Sequence, residues 1–211
     1  MIATQLRVLG PCDDLTPVWR FRHQVYVEEL RKVDAPDDSG LLADELDATA
    51  INLVATRDGE MIGACRINRV RDGGLGEYAG YHDLDALGAG DQQAACVVTR
   101  LMLGARHRGG TVFLKICFRL LTIAQEHSLR WVFIDCQPDR VGLFESLGFV
   151  EYAQPRRHTM FGMSNRLRLD LADREHLRSV NSPFLLHPVC RSGAEHGATT
   201  VHASTLMAVS A

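Results

Sequence analysis

Two apolar runs, Ala95–Leu103 and Arg130–Cys136, enclose a short basic glycine loop and a helix-period segment. In each run both alternating sets of side chains are largely apolar, so each reads as a strand covered on both faces. A sheet built on such strands needs helices on both sides. The loop between them, Arg106-His107-Arg108-Gly109-Gly110-Thr111, leads into a helical pattern reaching about His127. The order strand, loop, helix, strand is a βαβ-like unit with the loop at the helix N-terminus. There the first amides lack intrahelical partners and the macrodipole is positive, so a phosphate or pyrophosphate is the expected guest.

At 211 residues with net charge −3, the chain reads as one domain over 1–180, with no general case for nucleic-acid binding. Cys12, Cys65, Cys96, Cys117, Cys136 and Cys190 form no C-x-x-C pair, and most fall in apolar patterns. They read as reduced, buried thiols of a cytosolic protein, and no metal site is expected. Nothing resembles a signal peptide, and no apolar run approaches the ~20 residues of a membrane span. Residues 190–211 are small, polar and aperiodic, which predicts a mobile tail.

Along the chain, 2–9 reads as an edge strand. A helix capped by Asp13 or Asp14 runs to about Leu30 and carries Arg22 on the apolar stripe with Trp19 and Tyr26. The acidic loop 32–47 contains Asp44 and Asp47 just before a strand, and these are the expected partners of Arg22. Thr49–Thr56 and Glu60–Val70 form a hairpin around Asp58-Gly59, with Arg66 among apolar neighbours. A glycine-rich loop spans 71–93, with one helical turn at 84–87. In the central strand Val97, Thr99, Leu101 and Leu103 are expected to alternate with Val98, Arg100 and Met102. After Arg130–Cys136 come a short helix, 138–147, ended by Gly148, then strands 149–152 and 159–171 bridged by Pro155–His158, and a last helix at 173–179. Three arginines at core-facing positions suggest a buried polar site for a carboxylate or phosphate, which guanidinium forks match bidentately.

This element order resembles the GNAT acyltransferase superfamily. Its Arg/Gln-x-x-Gly-x-Gly/Ala loop corresponds to Arg106–Thr111, with Thr111 in place of the usual small residue, and Phe144–Phe149 resembles its later Tyr-x-x-x-Gly-Phe element. Phe144 stands where many members carry a tyrosine that protonates the leaving thiolate. Phe21-Arg22-His23-Gln24-Val25-Tyr26, Asp44-x-x-Asp47, Gly63-x-x-Arg66 and Thr99-Arg100 further resemble acyl-homoserine-lactone synthases and N-acyl amino acid synthases. Two features depart from the lactone synthases: Cys96-Val97-Val98 replaces a region that holds a Glu, and Arg31-Lys32 lies where a Trp is expected. Both favour a relative that acylates a different amine.

The resemblance implies an α/β (α+β) fold, a GNAT-like mixed, mostly antiparallel sheet flanked by helices on both faces. It also implies an N-acyltransferase moving a medium- or long-chain acyl group to a small-molecule amine such as an amino acid. Arg22, Asp44, Asp47, Arg66 and Arg100 would form the catalytic cluster. Leu101, Leu103, Arg106, Arg108, Gly109, Gly110 and Thr111 would hold the donor, an acyl-carrier-protein or acyl-CoA cosubstrate, with no permanently bound cofactor. Arg106, Arg108, Lys115 and Arg119 would suit the acidic surface of acyl carrier protein. Asp44 or Asp47 would either accept the amine's proton or orient the arginines, and Cys136 is either a covalent relay or a structural thiol. The alternatives are an acetyl-CoA-dependent N-acetyltransferase and a non-catalytic acyl-thioester sensor. A nucleotide-binding domain fits least, because the loop lacks both a full G-x-G-x-x-G and a P-loop Lys.

Overall fold

Asp58 and Gly59 both take positive φ, 56° and 82°, the mirror-image two-residue turn that Asp-Gly favours between twisted strands. The hairpin they close begins the main sheet. The computed structural model describes residues 3–35 and 37–188, so the expected tail, 190–211, lies outside the described residues. In chain order the elements are β1 (Gln5–Leu9), α1 (Thr16–His23), β2 (Ile51–Arg57), β3 (Glu60–Arg69), α2 (Glu77–Tyr81), α3 (Ala89–Gln93), β4 (Ala95–Leu103) and α4 (Val112–Glu126). They continue with β5 (Trp131–Cys136), α5 (Val141–Leu147), β6 (Val150–His158), β7 (Gly162–Asp170) and α6 (Arg174–Ser179).

Among the described residues the strands form one sheet in the order β1-β2-β3-β4-β5-β7-β6. β4 and β5 are its parallel pair, joined through α4, and the other neighbours are antiparallel. This parallel pairing covers only Ala95–Val97 against Trp131–Phe133. Beyond it the strands part, while β5 stays paired with β7 through Cys136. A V-shaped gap therefore opens in the middle of the sheet.

Helices cover both faces, as the two-sided strands require. On one face α4 buries Ile116, Cys117 and Leu121 against β3, β4 and β5, with Leu147 of α5 and Leu177 of α6 beside them. On the other, Val18 and Phe21 of α1 pack on Val54, Ala64 and Met102, and Tyr78 of α2 packs on Val97 and Phe133. Ile116, with no exposed surface, contributes roughly 2–3 kcal/mol by burial alone.

Several boundaries differ from expectation for identifiable reasons. Helix α1 starts after Leu15, with Pro17 in its first turn. Asp14 accepts the Thr16 amide at 3.0 Å, while Asp13 turns back to Gly10 at 2.7 Å. The chain continues as a wider π-type turn over Gln24–Glu29, which carries Tyr26. The segment 71–93 holds more than one helical turn, since α2 and α3 both form within it. Pro155 does not break the last hairpin, and β6 runs through it to His158. β6 is an edge strand, where a residue without an N–H leaves no ladder bond unmade.

The central strand also departs from simple alternation. Arg66 faces Thr99 and Ala64 faces Met102, so β4 carries one extra residue between these pairs. This is a bulge, and Arg100 within it has φ 55°, which costs a non-glycine residue on the order of 1–3 kcal/mol. The bulge reverses the faces. Leu101 and Leu103 join Val98 on the α4 side, while Arg100 and Met102 turn to the side of Thr99 and Arg66. Without it Arg100 would point into the apolar core.

Candidate active site

Asp44 and Asp47 are fixed by the backbone between them. Asp44 caps a 3₁₀ turn over Glu45–Thr49, accepting the Leu46 amide at 3.1 Å, and Asp47 reaches back to the Asp44 amide at 3.3 Å. This reciprocal capping aims both carboxylates at the sheet. Arg22, 1 % exposed, grips Asp47 with two bonds of 2.7 and 2.8 Å and donates a third, 2.9 Å long, to Asn52. The Trp19 indole N–H also donates to Asp47, at 2.9 Å. Arg66 donates to Thr99 at 3.0 Å, to Asp47 at 3.3 Å and to Asp44. Arg100 donates to the other Asp44 oxygen at 2.8 Å, its guanidinium 5.4 Å from the Tyr26 ring and 6.0 Å from that of Phe161. Asn52, Arg66 and Thr99 stand in register across β2, β3 and β4. The five expected residues thus meet in one cluster, with the pairing divided: Arg22 grips Asp47, Asp44 joins Arg66 to Arg100, and Arg66 reaches both aspartates.

Three cations face two carboxylates in this network, so it keeps a positive charge and open donors. Among the described residues, Nε and Nη1 of Arg100, Nη2 of Arg66 and Nε of Arg22 are buried without a partner. Unmade donors of this kind cost free energy unless a ligand meets them. Burial acts to raise the Asp44 and Asp47 carboxyls, but Arg66 and Arg100 outweigh it at Asp44, and Arg22 at Asp47. Both end below the ordinary aspartate value, which makes them weak proton acceptors and firm anchors for guanidinium groups.

A third carboxylate went unnoticed in the sequence. Asp135 lies near the end of β5, on the same face as Phe133 and hence as Thr99 and Arg100. Among the described residues no other side chain bonds or pairs with it. Burial pushes its carboxyl up to about 6, against smaller opposing effects of a backbone hydrogen bond and Arg100. The signal was one acidic residue in the apolar run Trp131–Cys136, overlooked beside the neighbouring cysteine. Burial pushes the Cys136 thiol up to about 12, so it is uncharged at neutral pH and does not fit a covalent relay. Nearby, Tyr78 Oη and His158 Nε2 are 2.8 Å apart, and the Met160 amide donates to His158 Nδ1 at 3.0 Å.

At the α4 N-terminus, Gly109 takes φ 76° and Thr111 caps the helix without a side-chain bond, leaving its first amides open. Arg108 braces the loop from within, donating to the Leu103 carbonyl at 3.1 Å and to Glu29 at 2.6 Å. Glu29 also accepts the Ala105 amide at 3.1 Å. Arg119 pairs with Glu126 at 2.9 Å, whereas Arg106 and Lys115 make no ion pair among the described residues. Behind the gap lies an apolar cavity of about 40 Å³, walled by Val98 and Leu101 of β4, Ile134 of β5, Cys117 and Leu121 of α4, and Phe144 of α5. Among the described residues no group of three or more His, Cys, Asp or Glu side chains is disposed to hold a metal.

Comparison with known proteins accords with this architecture. A CoA-dependent acyl-homoserine lactone synthase, BjaI, solved with SAM and isopentyl-CoA, superposes with TM-score 0.66 at 15% identity, over 86% of this chain and 91% of its own. The AHL synthase LasI gives 0.64 at 14% identity, over 81% and 91%. An acyl-CoA N-acyltransferase from Pseudomonas aeruginosa gives 0.57 at 17% identity, over 79% and 99%. At such identities the likeness is one of fold. The search of curated proteins returns no significant match. The family model described as N-acyl amino acid synthase FeeM matches residues 17–168, from α1 into β7. The chain therefore belongs to the N-acyl amino acid synthase FeeM family and is an N-acyltransferase with a GNAT-like fold.

Proposed function

We propose that the protein transfers a medium- or long-chain acyl group from a thioester of acyl carrier protein or CoA to the amine of a small molecule such as an amino acid. The observation that carries this reading is the parting of β4 and β5 after Val97 and Phe133, with an apolar cavity on one face and under-satisfied Arg100 on the other. A thioester laid in the gap would send its acyl chain among Val98, Leu101, Ile134 and Leu121. Its pantetheine arm would run along the β4 edge that β5 no longer occupies, past Leu101 and Leu103. The phosphate end would reach Gly109, Gly110 and Thr111 at the α4 N-terminus, with Arg106 and Lys115, which make no ion pair among the described residues, as cations beside it.

Arg100 is the arginine best suited to an acceptor carboxylate. Arg22, its two terminal nitrogens held by Asp47 and Asn52, has only Nε to spare and Arg66 only Nη2, whereas Arg100 has two buried nitrogens without a partner. Asp44 and Asp47, held below the ordinary aspartate value by those arginines, serve to orient them. The bulge at Arg100 leaves one residue out of the β3–β4 ladder. Its amide can meet the developing oxyanion, the kind of donor worth ~3 kcal/mol in the barrier.

Mass spectrometry of products tests this reading. The purified protein is mixed with pooled amino acids and with acyl carrier protein or CoA charged with acetyl to long chains, beside Arg100→Gln checked for folding. A long-chain N-acyl product that Arg100→Gln forms far more slowly at the same acceptor concentration is the expected result. Product from acetyl-CoA alone would assign the ordinary acetyltransferase chemistry, and donor binding without turnover would assign a sensor.

A further inference from the structure

We infer that Asp135 is the proton acceptor for the incoming amine, and so a catalytic residue distinct from the Arg22–Asp47 and Arg66–Asp44–Arg100 network. The inference rests on the acceptor lying on the arginine face, as proposed above. Asp135 follows Phe133, the last β5 residue paired with β4, by two residues and on the same face, so it lies on the β5 side where the gap opens, within the electrostatic reach of Arg100. An α-amino acid is a zwitterion, so its site needs a cation for the carboxylate and a base for the ammonium within a few ångströms. Arg100 supplies the first with two unpartnered buried nitrogens. Asp135 supplies the second with a carboxylate that no described side chain engages.

The surroundings of Asp135 explain its basicity. Acting on it through space are Tyr26 from the π-type turn, Glu77, Tyr78 and Tyr81 from α2 and Arg100 from β4, with Arg166 opposite on β7, while Cys136, next on its own strand, turns to the α4 face. Arg166 is occupied by the Tyr81 carbonyl and Asp83. The hydroxyls are themselves held neutral by burial. Arg100 is thus the cation acting on Asp135, and burial outweighs it. Asp44 and Asp47, by contrast, are neutralised by direct ion pairs.

The step balances simply. The ammonium gives one proton to ionised Asp135. The neutral amine then attacks the thioester carbonyl, forming C–N and breaking C–S. Its second proton goes to the leaving thiolate, giving a thiol, and Asp135 returns the first to solvent.

The test compares wild type, Asp135→Asn and Asp135→Glu with dodecanoyl-CoA and dodecanoyl-acyl carrier protein as donors. The acceptors are the amino-acid pool and hydroxylamine, an amine already unprotonated at neutral pH. Asp135→Asn should slow amino-acid acylation about 100-fold or more and abolish the fall in rate below pH about 6. It should slow hydroxylamine acylation far less, and Asp135→Glu should keep the acid limb. Equal losses with both acceptors, or an unchanged acid limb in Asp135→Asn, would overturn the inference. If wild type yields no product from any donor, the transfer reading itself fails. The Asp135 carboxyl is then followed by carbon-13 NMR with and without the amino-acid pool. Titration near 6 that moves down when the pool is added upholds its contact with the ammonium, and titration in the ordinary aspartate range, or no response to the pool, overturns it.

Discussion

The two faces of the central sheet solve opposite problems with the same strands. The α4 face is apolar throughout its core and holds a void bordered by Cys117, Leu121 and Phe144. The opposite face buries Arg22, Arg66 and Arg100, each 8 % exposed or less, beside Arg166, and satisfies most donors of the first three with two carboxylates, Asn52 and Thr99. What is missing on one face is volume, and on the other it is hydrogen-bond acceptors. An acylated amino acid has those two halves, a chain that fills volume and a carboxylate that accepts hydrogen bonds. The gap between β4 and β5 is where the halves would join.

The largest expected effect comes from breaking the polar face. Asp47→Ala leaves Arg22 buried without its bidentate partner and should cost about 3–5 kcal/mol, read as a lower urea midpoint. Replacing both Arg22 and Asp47 by apolar residues of matching volume should recover much of that loss. If the single variant unfolds no more easily than wild type, the network is not the keystone of this face.

Next comes Arg100→Gln, which keeps a donor but removes the charge. It should raise the acceptor KM about 10–100-fold, as expected for a lost bond to a charged group, with little change in the donor KM. Cys117→Phe sharpens the comparison from the other side. By filling the void it should shift preference toward shorter acyl donors and leave the acceptor KM alone, at a cost of about 1–3 kcal/mol in stability if the fit is tight. A mixed result, each variant disturbing both substrates, would mean that the faces do not divide the work.

Proton linkage separates the carboxylates in the same way. Asp44 and Asp47 sit below the ordinary 3.8, so their stabilisation is present above that pH and is lost as acid titrates them below it. Asp135 sits above it, at about 6. Its contribution is greatest below pH 3.8 and is lost as pH rises through 6. Asp135→Asn should therefore stabilise the fold at pH 8, by up to about 3 kcal/mol, and by nothing at pH 3.5. Denaturant midpoints at the two pH values check this. The smallest effect is expected from Glu29→Gln, which weakens the bond to half-exposed Arg108 and should cost less than about 1 kcal/mol.

Much of this architecture was legible in the residues themselves. Both-sides-apolar runs at 95–103 and 130–136 called for a doubly covered sheet, Asp58-Gly59 marked the hairpin, and Gly148 ended α5 in the left-handed conformation, φ 104°. The spacing Asp44-x-x-Asp47 also carried its own logic, because residues three apart at a capped turn bond reciprocally. Periodicity failed where a single backbone event reset it. The bulge at Arg100 exchanges the faces of the following residues, so strict alternation assigns Leu101, Met102 and Leu103 to the wrong sides. Pro155 reads as a breaker until β6 is known to be an edge. Asp135 was missed because a carboxylate near the end of an apolar strand has no local signature. Its basicity depends on what α2, β4 and the π-type turn bring around it.

The sequence by itself therefore determined the elements, the two-sided cover of the sheet, the loop at the α4 N-terminus and the inventory of arginines and aspartates, because these follow from local geometry and side-chain period. Only the tertiary structure decided which arginine pairs with which aspartate, where β4 and β5 part, which donors stay unmet and how one aspartate becomes a base. Hydrogen bonding, exclusion from water and electrostatic fields act across distances in space, and residues as far apart in the chain as Asp44 and Arg100 meet only once the sheet has closed.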